Sequence, residues 1–390
     1  MLDLIPHEAL SEELLMFRSS IRRFVENELI PLEHDLGPDG MLPEQKAEKL
    51  RERSYEAGLW LMDVPEELGG MGLSLLPLTV FWEEVGRSTT ASPVRDHGLF
   101  GPSVGPILLG LNEAQRQEYL YPVVEGKKRF CFAQTEPDAG SDPSAMRTRA
   151  VKNGNSYRIN GVKRYITRAA KADFALVMAV TDPAKGARGG ISCFLVDMKS
   201  PGVKLASAEK TMMGDSPYEI LFENVDVPAE NLVGEEGQGF SLGQGYINHG
   251  RVRQGAHSIG AAERCLNLTA AYAQQRKTFG EFISERQGVQ WMLADGYRDI
   301  FASRLMVYDA ARKVDAGVDA RLETFMIKTT TTEMGFRVID TCMQLHGGMG
   351  LTQDLPIERF WRDIRSYRIT EGPTEVLRTT LARNILKRLS

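Results

Sequence analysis

The period of the hydrophobic residues changes twice along this chain, and that succession limits the fold more than any single residue does. From Ser11 to Leu29 the apolar positions Leu14, Phe17, Ile21, Phe24 and Val25 recur at helical spacing, and Pro31 follows as a stop. Further helical patterns cover Glu44 to Ala57, closed by Gly58, then Leu75 to Val85, then Glu113 to Leu120, where Asn112 and Gln115 stand at capping-box spacing. Gly69, Gly70 and Gly72 read as a loop and not a phosphate cradle, since no strand precedes them. After Phe130 the character changes. Ser156 to Asn160 and Val162 to Thr167 flank an Asn160-Gly161 hairpin signal, and short apolar runs follow at Phe174 to Val180 and Ile191 to Val196. From Gly239 the helical period returns: Val289, Met292, Leu293, Tyr297, Ile300, Phe301 and Leu305 trace one long face, with further helices at Thr324 to Leu345 and Glu375 to Leu389. The expectation is an α+β multidomain chain: an all-helical domain over 1–128, a middle β domain of barrel or sandwich type over 129–237, and a helical bundle over 238–390.

Length agrees, because 390 residues exceed what one hydrophobic core comfortably serves. The chain is 42% hydrophobic and 25% charged, as an ordinary globule is, and a net charge of −5 without basic stripes excludes a nucleic-acid footprint. Cys131, Cys193, Cys265 and Cys342 form no CxxC pair, and the histidines at 7, 34, 97, 249, 257 and 346 have no metal spacing, so neither a disulfide framework nor a metal site is expected. No apolar run is long enough for a membrane span, and no signal-peptide pattern opens the chain. The reading is a cytoplasmic protein, or a mature mitochondrial-matrix protein whose transit peptide has been trimmed. A serine hydrolase is excluded, since Ser258 lacks the glycine two residues before it that a nucleophile elbow needs.

The chemistry starts at CFAQTEPDAGSD, Cys131 to Asp142. Ala133, Ala139, Gly140 and Ser141 let the backbone approach something flat, while Thr135, Glu136, Ser141 and Asp142 supply hydroxyls and carboxylates. The segment reads as a cofactor bed or, by composition alone, as a surface turn around Pro137. The pattern TExxAGSD resembles the first signature of the acyl-CoA dehydrogenase flavoproteins. KRYITR (163–168), RKTFG (276–280) with Arg286 and Gln287, QLHGG (344–348) and RITEGPTEV (368–376) match that family in order, over essentially the full length. Three of them have plainer readings alone: strand alternation for KRYITR, a solvated basic helix end for RKTFG and a first-turn helix acid for RITEGPTEV.

The resemblance implies FAD as cofactor, held by Phe132, Ala133, Thr135, Gly140, Ser141, Tyr165, Thr167, Arg276, Thr278, Phe279, Arg286, Gln287, Gln344, Gly347, Gly348, Pro373 and Glu375. Tyr165 would flank the flavin ring where most relatives have Trp, Thr167 would bond it near N5, and Arg276 would neutralise the pyrophosphate as a bidentate guanidinium can. Pro373 stands where most relatives have a FAD-binding Thr, and Arg168 and Ala169 replace the usual Asn and Gly. The acyl-CoA substrate would meet Ser141, Asn248, Arg251 and Gly372. Glu371 is the implied catalytic base, since some relatives carry theirs at the position of Gly250, which has no side chain. The implied reaction is α,β-dehydrogenation of an acyl-CoA thioester to the trans-2-enoyl-CoA. Glu371 takes the α-proton, flavin N5 accepts hydride, the oxyanion is held by the Glu371 N–H and a ribityl hydroxyl, and electrons pass to an electron-transfer flavoprotein. A homotetramer or dimer is implied, with the Arg276 and Gln344 segments reaching a neighbouring subunit's FAD. An acyl-CoA oxidase using O2 and a non-catalytic CoA- or flavin-binding homologue share these motifs. Thr370 precedes the base where relatives often have Tyr, which suggests room for a branched or ring-bearing acyl group.

Overall fold

The computed structural model describes Ile5, residues 10–93 and residues 98–389, with the side chains of 388 and 389 left aside. Its described residues fall into two compact units, one built from 1–63, 72–99 and 248–390, the other from 64–71 and 100–247.

The first unit is helical. Helix Glu12–Phe24 opens at Ser11, whose Oγ accepts the Leu14 N–H at 3.3 Å, and continues as a wider turn over Val25–Leu29. Pro31 does not end the path but sits in a 3-10 turn, Ile30–Asp35, where its missing N–H costs nothing. Helix Leu75–Val85 is capped from afar: Asp315 accepts the N–H groups of Leu75 at 2.6 Å and Leu76 at 2.9 Å. It lies so close to helix Gly239–Ala273 that a Cβ on Gly260 would stand 2.0 Å from the Glu83 carbonyl oxygen. The remaining long helices are Gln287–Asp315, Arg321–His346, Ile357–Tyr367 and Thr374–Leu389.

Charged residues tie these helices together at their buried faces. Arg304 reaches Glu83 at 2.8 Å, Arg87 reaches Glu263 at 2.6 Å, Arg22 reaches Glu84 at 2.9 Å and Arg264 grips both oxygens of Glu33 at 2.6 and 2.7 Å. Burial opposes ionisation of Glu263, but Arg304 and Arg87 outweigh it and hold this carboxyl below its usual value. This network redirects helix Gln287–Asp315. Its buried stripe includes Gly296, Ile300, Ser303, Arg304, Val307 and Tyr308, whereas Met292, Phe301 and Leu305 of the apolar face read from the sequence are exposed.

The second unit carries an eight-stranded sheet in the order β6-β7-β3-β2-β4-β5-β8, with β1 also on β4. The strands are β1 Phe130–Ala133, β2 Arg149–Asn153, β3 Ser156–Ile166, β4 Phe174–Val180, β5 Ile191–Asp197, β6 Val203–Ala208, β7 Tyr218–Pro228 and β8 Leu232–Val233. β1 runs parallel to β4 and the longer pairings are antiparallel. Their inward side chains, Ile159, Val177, Phe194, Ile220 and Phe222 among them, form one core. The hairpin expected at Asn160-Gly161 is elsewhere. The β2–β3 turn is at Gly154 and Asn155, between the paired Asn153 and Ser156, and β3 passes straight through Asn160-Gly161. Gly161 instead serves a close approach, since a Cβ there would lie 2.4 Å from Thr148 Oγ1. In the same unit Asn112 and Gln115 form the expected capping box, with bonds of 3.0 and 3.3 Å.

Candidate active site

Glu371 is built by a short turn between helices Ile357–Tyr367 and Thr374–Leu389, with left-handed backbone at Glu371 (φ +54°) and Gly372 (φ +97°). A non-glycine residue in that conformation is strained, and such strain persists only where the surroundings fix it. Two buried cations do so here. Arg251 Nε donates to the Glu371 carbonyl at 2.8 Å, and Lys328 Nζ donates to the Gly372 carbonyl at 2.5 Å. Asn248 Oδ1 orients Arg251 by accepting from Nη1 at 2.7 Å. Thr370, just before the acid, accepts from Gln254 Nε2 at 2.8 Å, and Thr374, just after it, donates to Glu333 at 3.0 Å.

This turn lays the Glu371 carboxyl over Gly250, where an added Cβ would come within 2.9 Å of both Cδ and Oε1. The acid and the bare glycine are one device. Burial raises the pKa of Glu371, outweighing the opposing pull of Arg253, Arg251 and Lys328. Burial, helped by Arg251, lowers Lys328 to about 8, and burial lowers Arg251 to about 10. A desolvated carboxyl with raised proton affinity and fixed backbone is what abstraction of a weakly acidic C–H proton requires.

Arg276, Thr278, Phe279, Arg286 and Gln287 occupy the end of helix Gly239–Ala273, a two-residue-per-strand hairpin and the start of helix Gln287–Asp315. Arg286 donates to the Thr278 carbonyl at 2.5 Å, and its guanidinium stands 5.7 Å from the ring of Phe279, which is 97% exposed. Gln344, Gly347 and Gly348 end helix Arg321–His346, and nothing lies within 4 Å of a Cβ at either glycine. The two segments meet at Tyr272: its carbonyl accepts the Arg276 N–H at 2.9 Å, and its ring stacks on buried His346 at 4.5 Å. Pro373 precedes helix Thr374–Leu389, with Glu375 exposed in the first turn.

Phe132, Ala133, Thr135, Gly140, Ser141, Tyr165 and Thr167 lie on the sheet unit. Glu136 folds their loop by accepting the N–H groups of Arg147 at 2.6 Å and Thr148 at 2.9 Å. Lys163, fully buried, donates to Glu136 at 2.8 Å and to the Gln134 carbonyl at 3.0 Å. Ala133 is buried, Phe132 stacks on Tyr246 at 4.8 Å, and Gly140, Ser141, Tyr165 and Thr167 are exposed. Tyr165 (φ +57°) sits in a bulge of β3, and Arg168 (φ +68°) takes the left-handed turn conformation that Asn or Gly adopts more cheaply. In the sheet unit, a small-residue loop with an exposed ring and an exposed hydroxyl on the neighbouring strand suits a flat cofactor such as the flavin of FAD. Lys328, Arg253 and Gln254 were not singled out from the sequence. Lys328 could have been, as a lone charge in the run Phe325 to Thr332. His7 and His97 lie outside the described residues, and among those described no group of His, Cys, Asp and Glu is arranged to hold a metal ion.

The acyl-CoA dehydrogenase N-terminal, middle and C-terminal domain families match residues 11–127, 131–225 and 237–386. The chain therefore belongs to the acyl-CoA dehydrogenase family, FAD-binding oxidoreductases with helical terminal domains and a middle sheet domain. It is 35% identical over 381 residues to the caffeyl-CoA reductase-Etf complex subunit CarC of Acetobacterium woodii, covering 97% of this chain and 99% of that one. It is 36% identical to (R)-benzylsuccinyl-CoA dehydrogenase of Thauera aromatica, covering 97% and 96%. The crystal structure of acyl-CoA dehydrogenase from Geobacillus kaustophilus superposes with a TM-score of 0.85 at 34% identity, covering 97% of this chain and 99% of that one. Among the described residues no helix is long and apolar enough to cross a membrane.

Proposed function

We propose that this chain desaturates an acyl-CoA thioester between its α and β carbons, with Glu371 as the base that removes the α-proton. The observation that carries this reading is the seat of Glu371: a desolvated carboxyl over Gly250, on a strained turn held by Arg251 and Lys328. FAD, when bound, supplies the hydride acceptor at N5. Glu371 moves the proton. Its own backbone N–H, which takes no backbone partner among the described residues while those of Ile369, Thr370 and Thr374 do, is available to the thioester oxygen as charge develops there. Thr167 and Tyr165 would face the ring, Arg276 would reach the pyrophosphate of a neighbouring copy's FAD, and Asn248 would orient Arg251 beside the thioester. The CarC relative is named as a subunit of an Etf complex, which supports an electron-transfer flavoprotein as redox partner here too. Relatives named for caffeyl and benzylsuccinyl groups suggest that the acyl chain varies within the family. Exposed Trp291, Met292, Phe301 and Leu305 along one helix support burial against further copies of the chain.

The test is a panel of acyl-CoA thioesters added to the yellow protein, under air and with an artificial acceptor, for wild type and Glu371→Gln. Desaturation by wild type and its loss in the variant, with FAD retained, support the reading. A variant as active as wild type overturns the assignment of the base, and air-dependent peroxide from wild type points to an oxidase.

A further inference from the structure

Gly250, Arg253, Gln254 and His257 recur three and four residues apart on helix Gly239–Ala273, so they share the side that carries Glu371. Two of them have polar atoms with no partner. Arg253 makes no hydrogen bond or ion pair with any described residue, and its Nε is buried. Gln254 is only 7% exposed and gives one end of its amide to Thr370, while Oε1 is buried and unmet. Among the described residues Arg253 makes no ion pair, and the acid whose ionisation its charge favours is Glu371 itself. His249 packs edge-on against Trp82 at 5.0 Å, and burial with the nearby Arg253 charge lowers His257 to about 3. Asp63 lies 3.9 Å from His249 Nε2, and Glu371 is the acid reserved for the proton. Arg251 and Lys328 spend donors on the carbonyls of the turn, and Arg253 alone of the three cations has no such engagement.

Elsewhere in the unit Arg22, Arg87, Arg264 and Arg304 are matched to Glu84, Glu263, Glu33 and Glu83. Leaving a half-buried guanidinium unmatched beside a reacting carboxyl is costly unless a ligand completes it. We propose that the acyl group taken by this site carries a carboxylate, bound by the guanidinium of Arg253 and by the open amide position of Gln254, so that the substrates are carboxyacyl thioesters. The Gln254 amide serves this role only when turned over: it then accepts from the Thr370 hydroxyl, which leaves its long 3.4 Å contact with the Ser366 carbonyl, and presents Nε2 to the ligand carboxylate. The inference rests on the reading of Glu371 as the base, because that places the acyl chain along this helix face.

The experiment uses FAD-loaded enzyme and matched thioesters, glutaryl-CoA against pentanoyl-CoA and adipoyl-CoA against hexanoyl-CoA, which differ by carboxylate for methyl. At one pH the ionisation of the base cancels in the ratio of the two kcat/KM values. Wild type is expected to favour the carboxyacyl member by at least about tenfold at one length. Arg253→Met and Arg253→Gln bring that ratio to about unity or below, chiefly through KM, and Arg253→Lys restores part of it. A wild type that favours the neutral chain at both lengths, or a ratio that neither variant moves, overturns the inference. Should wild type oxidise none of the four, the proposed reaction fails separately. The inference is then decided by whether glutaryl- or adipoyl-CoA raises the Tm of wild type and not of Arg253→Met.

Discussion

The helical unit takes arginine and glutamate out of water in two places and treats them differently. Around Glu83, Glu84 and Glu263 each carboxylate meets guanidinium groups at hydrogen-bond distance. Around Glu371 two cations bind carbonyls, and among the described residues Arg253 makes no hydrogen bond and the carboxyl no ion pair; burial raises its proton affinity. In the first place the electrostatics are closed and serve helix register. In the second they are left open, which is costly for folding and useful for chemistry.

The difference can be broken from either side. Glu371→Gln keeps the shape and removes the proposed base, so kcat should fall by roughly 10³- to 10⁴-fold with little change in Tm, read by anaerobic bleaching of the flavin. Glu263→Gln should do the reverse. It strips a partner from Arg87 and Arg304, costs about 3 kcal/mol or more in chemical denaturation, and leaves the kinetics of the folded enzyme within about twofold. The contribution of Glu263 belongs to a carboxyl held below its usual 4.5, so it is present above that pH and lost as pH falls through the native value.

Gly250→Ala should push the Glu371 carboxyl aside and cost about 100-fold in kcat, without the stability loss of the Glu263 variant. Lys328→Met should have the smallest effect. It frees the Gly372 carbonyl and removes a charge that favours ionised Glu371, so the acid limb of the pH–rate profile moves to higher pH and about tenfold is lost on that limb. Native Lys328 gives up its proton near pH 8, whereas the unfolded ammonium holds its proton to about 10.5. Unfolding therefore takes up protons in that window, and wild type should gain about 1 kcal/mol relative to Lys328→Met between pH 8 and pH 9.

Much of this was legible in the residues. The alternation of helix and strand periods gave the order of elements, and Asn112 with Gln115 marked a cap. Ordered motifs pointed to the family that all three domain matches show. The hairpin was misplaced because Asn-Gly is a strong local turn signal, while the requirement at Gly161 comes from Thr148 on the facing segment. The buried face of helix Gln287–Asp315 was misjudged because Arg304 counts as polar until its partners, far away in sequence, are known. Lys328 and Arg253 escaped for a related reason: a lone cation reads as solvated unless its surroundings are seen.

The bare α-carbon beneath Glu371 also bears on ancestry. A proton acceptor cannot migrate from this turn to the facing helix by one replacement. Introducing an acid at Gly250 would crowd two carboxylates into the same volume, and deleting Glu371 first would, on its proposed role, leave no proton acceptor. Moving the acid to position 250 would thus take a paired exchange in this chain, the helix gaining the acid as the turn gives it up.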